Sequence, residues 1–207
     1  MSEVLTKRKK MMFSEWFRIL HHGYFEKPFQ FETLSKPKFV SGKVVPNDLN
    51  DLTFGQVIEL QGIQEVGSMF IVPLRVVMGM SDDEVMEASA TEVVRFAAWA
   101  AREMERINKL FASTNRKPTD KERKAGIELL RFGVFGTVDY YAQRMGIRDH
   151  EEVMAVPWMR VYKCLQIDSE KAKYELRLRK VYEDENSRKE IKRDRGRTVP
   201  RDVVCVR

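Results

Sequence analysis

The feature that most constrains the fold is an uninterrupted run from Trp158 past Tyr182 that contains neither glycine nor proline. Pro157, immediately before it, suits the first position of a helix because its missing N–H has no partner there in any case. We therefore predict one long helix over residues 157–185. Two shorter helices are expected within residues 125–156, upstream of it.

Apolar side chains form two stripes on this long helix when successive residues are placed 100° apart. One stripe consists of Trp158, Val161, Tyr162, Leu165, Ala172 and Leu176. The other, on roughly the opposite side, consists of Cys164, Ile167, Tyr174, Leu178 and Val181. A surface helix needs only one apolar stripe, so other residues must cover the second. Either the helix is enclosed by its own bundle, or the second stripe binds another protein. The predicted partner-binding residues are Ile167, Tyr174, Leu178 and Val181.

The composition fits a folded protein with a highly charged surface. The chain has 207 residues, of which 43% are hydrophobic and 33% are charged, so it can bury a core and is not expected to be disordered. No apolar run approaches the roughly 18 residues of a membrane span, and the N-terminus lacks the features of a signal peptide. We therefore expect a cytosolic protein. Cys164 and Cys205 are too few and too far apart to indicate a disulfide framework or a metal site.

The net charge of +6 is concentrated at the two ends of the chain. Residues 1–10 carry +3 and residues 188–207 carry +5, which leaves −2 for residues 11–187. Binding to a phosphate backbone requires clustered positive charge, and only the ends supply it. Nucleic-acid binding is therefore an alternative function, with Arg193, Arg195 and Arg197 as its candidate residues.

Residues 1–52 are predicted to form an N-terminal helix followed by an extended arm. The helix, within residues 11–25, carries aromatic residues on one side, and packing on the protein is favoured over binding to a membrane surface. Residues 26–52 contain three prolines and short strand-like patches, which indicates an extended arm or a small hairpin. The alternating side chains of Phe29 and Phe31 in this arm are further predicted partner contacts.

Residues 53–190 are predicted to form a helical body, and residues 191–207 a basic tail. A Ser or Thr followed three residues later by Glu or Gln marks the start of a helix, and the pattern occurs at Thr53, Ser81, Ser89 and Thr119. Met69–Met80 should form a helix that begins at or just before Pro73. The helix that begins at Thr119 should continue to about Phe132, and the next should span about 137–145.

The helix over about 90–112 carries a heptad seam, which favours packing within the chain over an intermolecular coiled coil. Its members are Val93, Ala97, Ala100, Met104, Ile107 and Phe111. The predicted fold is therefore mainly α: a small helical bundle with one long C-terminal helix, an extended N-terminal arm and a basic C-terminal tail.

Catalytic signatures are missing from the sequence, which contains no Walker loop, GxSxG or HExxH. His150 and the acidic pairs Asp82-Asp83 and Glu151-Glu152 fall at predicted helix starts, where they are interpreted as solvated capping residues. Gly133 and Gly136 match the bare GxxG of an RNA-binding KH loop, but a bend between helices is favoured. We expect a non-enzymatic protein with no catalytic residues, metal or cofactor.

Several stretches of the chain resemble one family. One region of the chain contains Ala125-Gly126-Ile127, Phe132-Gly-Val-Phe-Gly-Thr-Val-Asp139, Glu151-Glu152-Val153 and Pro157-Trp158. This region is similar to the C-terminal part of small tailed-phage morphogenesis proteins of the tail assembly chaperone type. Such proteins are known especially from phages of gut bacteria. Leu52–Leu60 is similar to the N-terminal helix opening of those proteins. Counted from Ala125 through the Glu- and Lys-rich helix that follows Pro157, and together with Leu52–Leu60, the resemblance spans roughly 40% of the chain.

This resemblance implies a helical, non-enzymatic protein that binds a tape-measure protein or another phage structural protein during tail building. An alternative is a structural component of the virion, in the tail, the connector or at the capsid, held in a symmetric assembly. The second alternative is a packaging protein that binds nucleic acid through the basic ends. In each case we expect a homo-oligomer or a larger assembly without a membrane partner, located in the host cytoplasm or incorporated into the virion.

Overall fold

The computed structural model describes residues 11–21 and 34–197 of the chain. It divides into two compact units, residues 1–164 and 165–207. The predicted partner contacts Phe29 and Phe31 lie outside the described residues, as do both chain ends.

Helices dominate the described residues, and the predicted mainly α fold is confirmed. They are α1 (Phe13–His21), α2 (Phe54–Gln61), α3 (Ser68–Met78), α4 (Asp82–Glu87), α5 (Ala90–Thr114), α6 (Asp120–Lys124), α7 (Gly133–Met145), α8 (His150–Met154) and α9 (Trp158–Arg197). A short 3₁₀ helix spans Ile127–Leu129. Strands β1 (Phe39–Val40) and β2 (Lys43–Val44) form a small antiparallel hairpin within the predicted arm.

Helix α5 is the centre of the first unit, where it packs against α1, α2 and α3. Five of the six residues of its heptad seam are buried: Val93, Ala97, Ala100, Met104 and Ile107. The sixth, Phe111, makes ring contacts with Phe54, Trp158 and Tyr162. Residues of the same chain therefore cover the seam, which agrees with the favoured interpretation of packing within the chain.

Helix α1 places its aromatic side in the same core. Phe13 is fully buried and Trp16 is 7% exposed, and both rings contact Phe70 of α3, with centroids 5.7 and 5.1 Å away. The backbone N–H of Phe13 donates to the carbonyl of Ala88 at 2.8 Å. These contacts leave the apolar side of α1 covered by protein, which agrees with the favoured interpretation.

The segment before α2 is joined to the start of α9. Trp158 is fully buried, and its indole N–H donates to the carbonyl of Leu49 at 2.8 Å. Its backbone N–H donates to the carbonyl of Leu52 at 3.1 Å, and the N–H of Phe54 donates to the carbonyl of Val156 at 2.8 Å. These bonds satisfy polar groups on both segments that burial would otherwise leave unpaired.

Three of the four predicted capping boxes are present, at Thr53, Ser81 and Thr119. The box predicted at Ser89 is wrong, because the side chain of Ser89 makes no capping hydrogen bond. The carboxylate of Glu92, which should have completed this box, accepts from the backbone N–H of Ser41 at 3.2 Å.

The structure corrects the predicted bounds of three helices, α3, α6 and α7. Helix α3 begins at Ser68, well before Pro73, which is buried inside the helix. The proline removes one backbone hydrogen bond, but burial of the apolar side of α3 outweighs that loss. Helix α6 ends at Lys124 rather than near Phe132, and α7 begins at Gly133 rather than near 137.

Helix α9 is longer than predicted and reaches Arg197, so it continues past residue 191, the predicted start of the tail. Its last dozen residues are mostly Arg, Lys and Glu. These residues lose little side-chain freedom in a helix and therefore sustain it without an apolar stripe.

Candidate protein-binding surfaces

Exposed apolar side chains are concentrated between the 3₁₀ helix and the first turn of α7. We call residues 127–135 the apolar segment. Its exposed members are Leu129, Leu130, Phe132, Val134 and Phe135, and Leu129 is 84% exposed. No residue between 115 and 137 is buried. An ordered stretch that contributes nothing to the core, yet carries five large apolar side chains, is typical of an interaction surface.

Two glycines give the apolar segment its conformation. Gly126 has φ 81°, a left-handed value that favours glycine, and it ends α6 two residues after Lys124. At Gly136, a Cβ atom would lie 2.6 Å from the Cβ of Phe132. A glycine at 136 therefore lets Phe132 lie directly over the first turn of α7.

The apolar segment also contacts α8. The ring of Phe135 lies edge-on to the ring of His150, with centroids 5.1 Å apart and planes at 74°. Nε2 of His150 lies 3.8 Å from Oδ1 of Asp139. The prediction of His150 as a solvated capping residue is therefore only partly right, because its ring also packs between α7 and α8.

Helix α6, which precedes the apolar segment, is held by a polar cluster at its start. The guanidinium of Arg116 pairs with the carboxylate of Glu122. The same carboxylate accepts the backbone N–H of Thr119 at 2.8 Å, within the capping box. The Arg116 hydrogen bond first, and the two bonds from Thr119 after it, lower the pKa of Glu122 to about 2.

Replacing Arg116 with alanine is expected to raise the pKa of Glu122 towards its ordinary value, because the largest stabiliser of the charged form is removed. A carboxylate with a lowered pKa stabilises the folded state above its unfolded pKa, near 4.3. That contribution is lost as the pH falls from about 5 towards 2. Carboxyl carbon chemical shifts measured by NMR during a pH titration report the midpoint directly. An unchanged midpoint in the variant would show that Arg116 is not what lowers the pKa of Glu122.

An apolar groove lies between α2, α3 and α5, with a cavity volume of about 420 Å³. Its principal apolar lining consists of Leu60, Ile63, Met69, Phe70, Ala101 and Met104. The small side chains of Ala97 and Ala100 on α5 leave this space unfilled. At one end, the amide of Gln61 donates to Oδ1 of Asn108 at 2.7 Å.

The second stripe of α9 is the surface that the sequence predicts to bind a partner. Ile167, Tyr174 and Val181 are 47%, 56% and 52% exposed, and Leu178 is half-buried. The first stripe is buried at Trp158, Val161 and Tyr162, whereas its later members Leu165, Ala172 and Leu176 are half-buried. The second stripe is therefore the more exposed of the two. Partner binding by the second stripe stays a prediction.

The candidate nucleic-acid residues lie at the end of α9. Arg193 is exposed. Positions 195 and 197 belong to the same helix, and their side chains fall outside the described residues. The structure therefore places the three candidates in one helix rather than in a separate tail.

Within residues 11–21 and 34–197 there is no group of three or more His, Cys, Asp or Glu side chains that could hold a metal ion. Cys164 is a free thiol of intermediate exposure. No helix in that part of the chain is both long and apolar enough to cross a membrane.

Sequence reasoning missed the apolar segment, because it extended the preceding helix to about Phe132 and treated Gly133 and Gly136 as a simple bend. Gly126 was the available signal, since a glycine just after a run of charged residues commonly ends a helix. Ending α6 there leaves the following leucines and phenylalanines without a helical face to bury them.

Comparison of the chain with protein-family models, with curated proteins and with solved structures gives no match.

Proposed function

We propose that the chain is a non-enzymatic morphogenesis protein of tailed phages that acts by protein–protein contact, in the manner of a tail assembly chaperone. The observation that carries this proposal is the second stripe of α9, whose Ile167, Tyr174 and Val181 are about half exposed. A helix that displays apolar side chains at this spacing is suited to the apolar face of another helix. The sequence resemblance to the chaperones points to a helical tape-measure protein as that partner.

The exposed area sets the strength of the contact. Full burial of a large apolar side chain stabilises a complex by about 1.5–3 kcal/mol. The exposed halves of three such side chains therefore contribute roughly 2–4 kcal/mol, and burial of the partner's own apolar side chains adds to this contribution. A contact of this kind is reversible. Reversible binding suits a protein that must release its partner once the tail is built.

Mass spectrometry of purified phage particles tests the proposal against its structural alternative. In the phage that encodes this chain, the protein should be abundant in infected cells during assembly and absent from mature particles. A stoichiometric amount in mature particles would instead identify a structural component of the virion. Absence from both particles and assembling cells would contradict a role in morphogenesis altogether.

Co-expression supplies the direct test of partner binding. The long helical reading frame expected next to this gene would be expressed with and without the chain. We expect more of the tape-measure protein to remain in the soluble fraction when the chain is present, and the two proteins to co-purify. Equal recovery without the chain would overturn the chaperone proposal.

A further inference from the structure

We propose that two copies of this chain pair through the exposed part of α9, with the two helices antiparallel and a twofold axis between Val181 and Tyr182. A second copy then covers the second stripe of α9 while no other partner is bound there. The inference deepens the proposed function and rests on it in one respect, because the helical partner is proposed to bind the same stripe. Copy and partner exclude each other, so self-association regulates access to the binding surface.

The later part of α9 is exposed on all sides. Between Arg177 and Arg193, every residue except the half-buried Leu178 is exposed. Val181 and Tyr182 are 52% and 58% exposed. They lie about 50° to either side of a line along the helix that passes close to Leu178. These three side chains therefore form the centre of an apolar contact surface, and a helix that displays such a surface is stabilised when another chain covers it.

The order of charges along α9 makes the helix complementary to a reversed copy of itself. Residues 177–180 carry a charge of +3, and residues 183–186 carry −3. With a twofold axis between Val181 and Tyr182, the basic block of each copy lies level with the acidic block of the other. A parallel pair in register would instead bring every charged residue level with its own copy, where like charges repel. The charge pattern therefore favours the antiparallel pair.

The same axis matches individual charges over residues 170–193. Five pairs of residues at the same level have opposite charges: Glu170 with Arg193, Lys173 with Glu190, Glu175 with Arg188, Arg179 with Asp184, and Lys180 with Glu183. The pairs made by Glu170 and Glu175 lie about 70° from the centre of the apolar contact and so flank it directly. One pair, Lys171 with Lys192, has like charges. Long lysine side chains can direct their ammonium groups to water, so this pair costs little.

Other registers lose this complementarity. The second stripe faces the other copy only in registers that differ by about one helical turn. Sliding one helix by a turn in one direction brings Arg179 level with Lys180 of the other copy, and in the other direction it brings Arg177 level with Lys189. The proposed register also places position 197 level with position 166, so the pair uses the whole part of α9 in the second unit. The contact is isologous, the commonest kind in oligomers.

Charge reversals at Glu175 and Arg188 test the pairing. A Glu175→Arg homodimer would bring two arginines together at each of two symmetric positions, and an Arg188→Glu homodimer would do the same with two glutamates. Each variant should therefore dimerise roughly tenfold or more weakly than the wild type. An equimolar mixture of the two variants restores opposite charges at both positions, so it should form a heterodimer about as tightly as the wild type dimerises. Glu183→Arg and Lys180→Glu are the matched controls, because these exposed residues lie about 150° from the centre of the contact.

Sedimentation velocity over a range of protein concentrations, at low ionic strength, gives the decisive measurement. The wild type and both controls should change from monomer to dimer as the concentration rises and should form nothing larger. The Glu175→Arg and Arg188→Glu variants should each stay monomeric at concentrations where the wild type is dimeric, and their mixture should be dimeric. Added salt should weaken the wild-type dimer, because it screens exposed charges. Equal helix content by circular dichroism, together with dimer formation in the mixture, excludes unfolding of α9 as the cause.

Other outcomes would overturn the inference. If the wild type stays monomeric throughout, the pairing does not exist. If the mixture associates no more tightly than either variant alone, residues 175 and 188 do not face each other and the antiparallel register is wrong. If the two controls weaken the dimer to the same extent as the test variants, net charge rather than register controls association. These measurements use the protein alone, so a monomeric result refutes only the pairing, whereas failed co-purification with the tape-measure protein refutes only the proposed function.

Discussion

Replacing Trp158 with alanine is expected to lower the free energy of unfolding by about 3–5 kcal/mol. The side chain is fully buried, and its ring lies 5.9 Å from the ring of Phe111 and 6.2 Å from that of Tyr162. The substitution leaves a cavity at the start of α9. It also removes the indole donor to the carbonyl of Leu49, so a buried acceptor loses its partner.

Urea denaturation monitored by circular dichroism measures the free energy of unfolding without relying on tryptophan fluorescence. Trp158→Phe is the informative intermediate, because it keeps an aromatic ring but lacks the N–H. Its expected cost is about 1–3 kcal/mol, dominated by the unpaired carbonyl. Tyr182→Ala, at a position of the same helix that is 58% exposed, should change stability by less than about 0.5 kcal/mol. A loss below about 1 kcal/mol in Trp158→Ala would show that this junction is not central to the core.

Replacing Tyr174 with aspartate is expected to abolish capture of the helical partner while leaving the chain folded. Tyr174 lies in the middle of the second stripe of α9 and is 56% exposed. A carboxylate at this position would have to lose its water on binding, which should weaken the complex roughly tenfold or more. Such losses appear mainly as faster dissociation, so the variant complex should not survive purification.

Co-purification with the tape-measure protein, compared between variants, measures the effect of Tyr174→Asp. Asn186→Asp is the matched control, since it adds the same charge at an exposed polar position of α9 and should bind like the wild type. Leu178→Asp should behave like Tyr174→Asp if the whole second stripe is used. Collapse of the helical circular dichroism signal in either stripe variant would show that the stripe supports the fold, and retained capture would show that the partner binds elsewhere.

The starts of helices were the part of the fold most accessible from the sequence, because a capping box depends on residues only three positions apart. Thr53, Ser81 and Thr119 form such boxes as predicted. Ser89 has the same local pattern but does not form one. Its expected partner Glu92 binds the backbone of Ser41, a residue 51 positions away, and no local rule contains that information.

The ends of helices and the exposure of side chains were harder to predict from the sequence. The left-handed Gly126 ends α6 early, and this leaves Leu129 and Leu130 exposed instead of on a helical face. The two stripes of α9 could be read from periodicity, but periodicity does not say which of them the rest of the chain covers. The groove arises from three helices whose mutual packing the sequence pattern does not specify.

The bond from the indole of Trp158 to the carbonyl of Leu49 joins residues 109 positions apart, so at about 5–20 residues per second the ribosome needs roughly 5–20 s to synthesise the chain between them. Once α5 is complete at Thr114, the nascent chain has its apolar α2 and α5 sequences but lacks the tryptophan that packs against them until residue 158 is added. Closure late in synthesis exposes the unfinished polypeptide to holdases and proteases of the cell that makes it, whatever the stability of the completed protein.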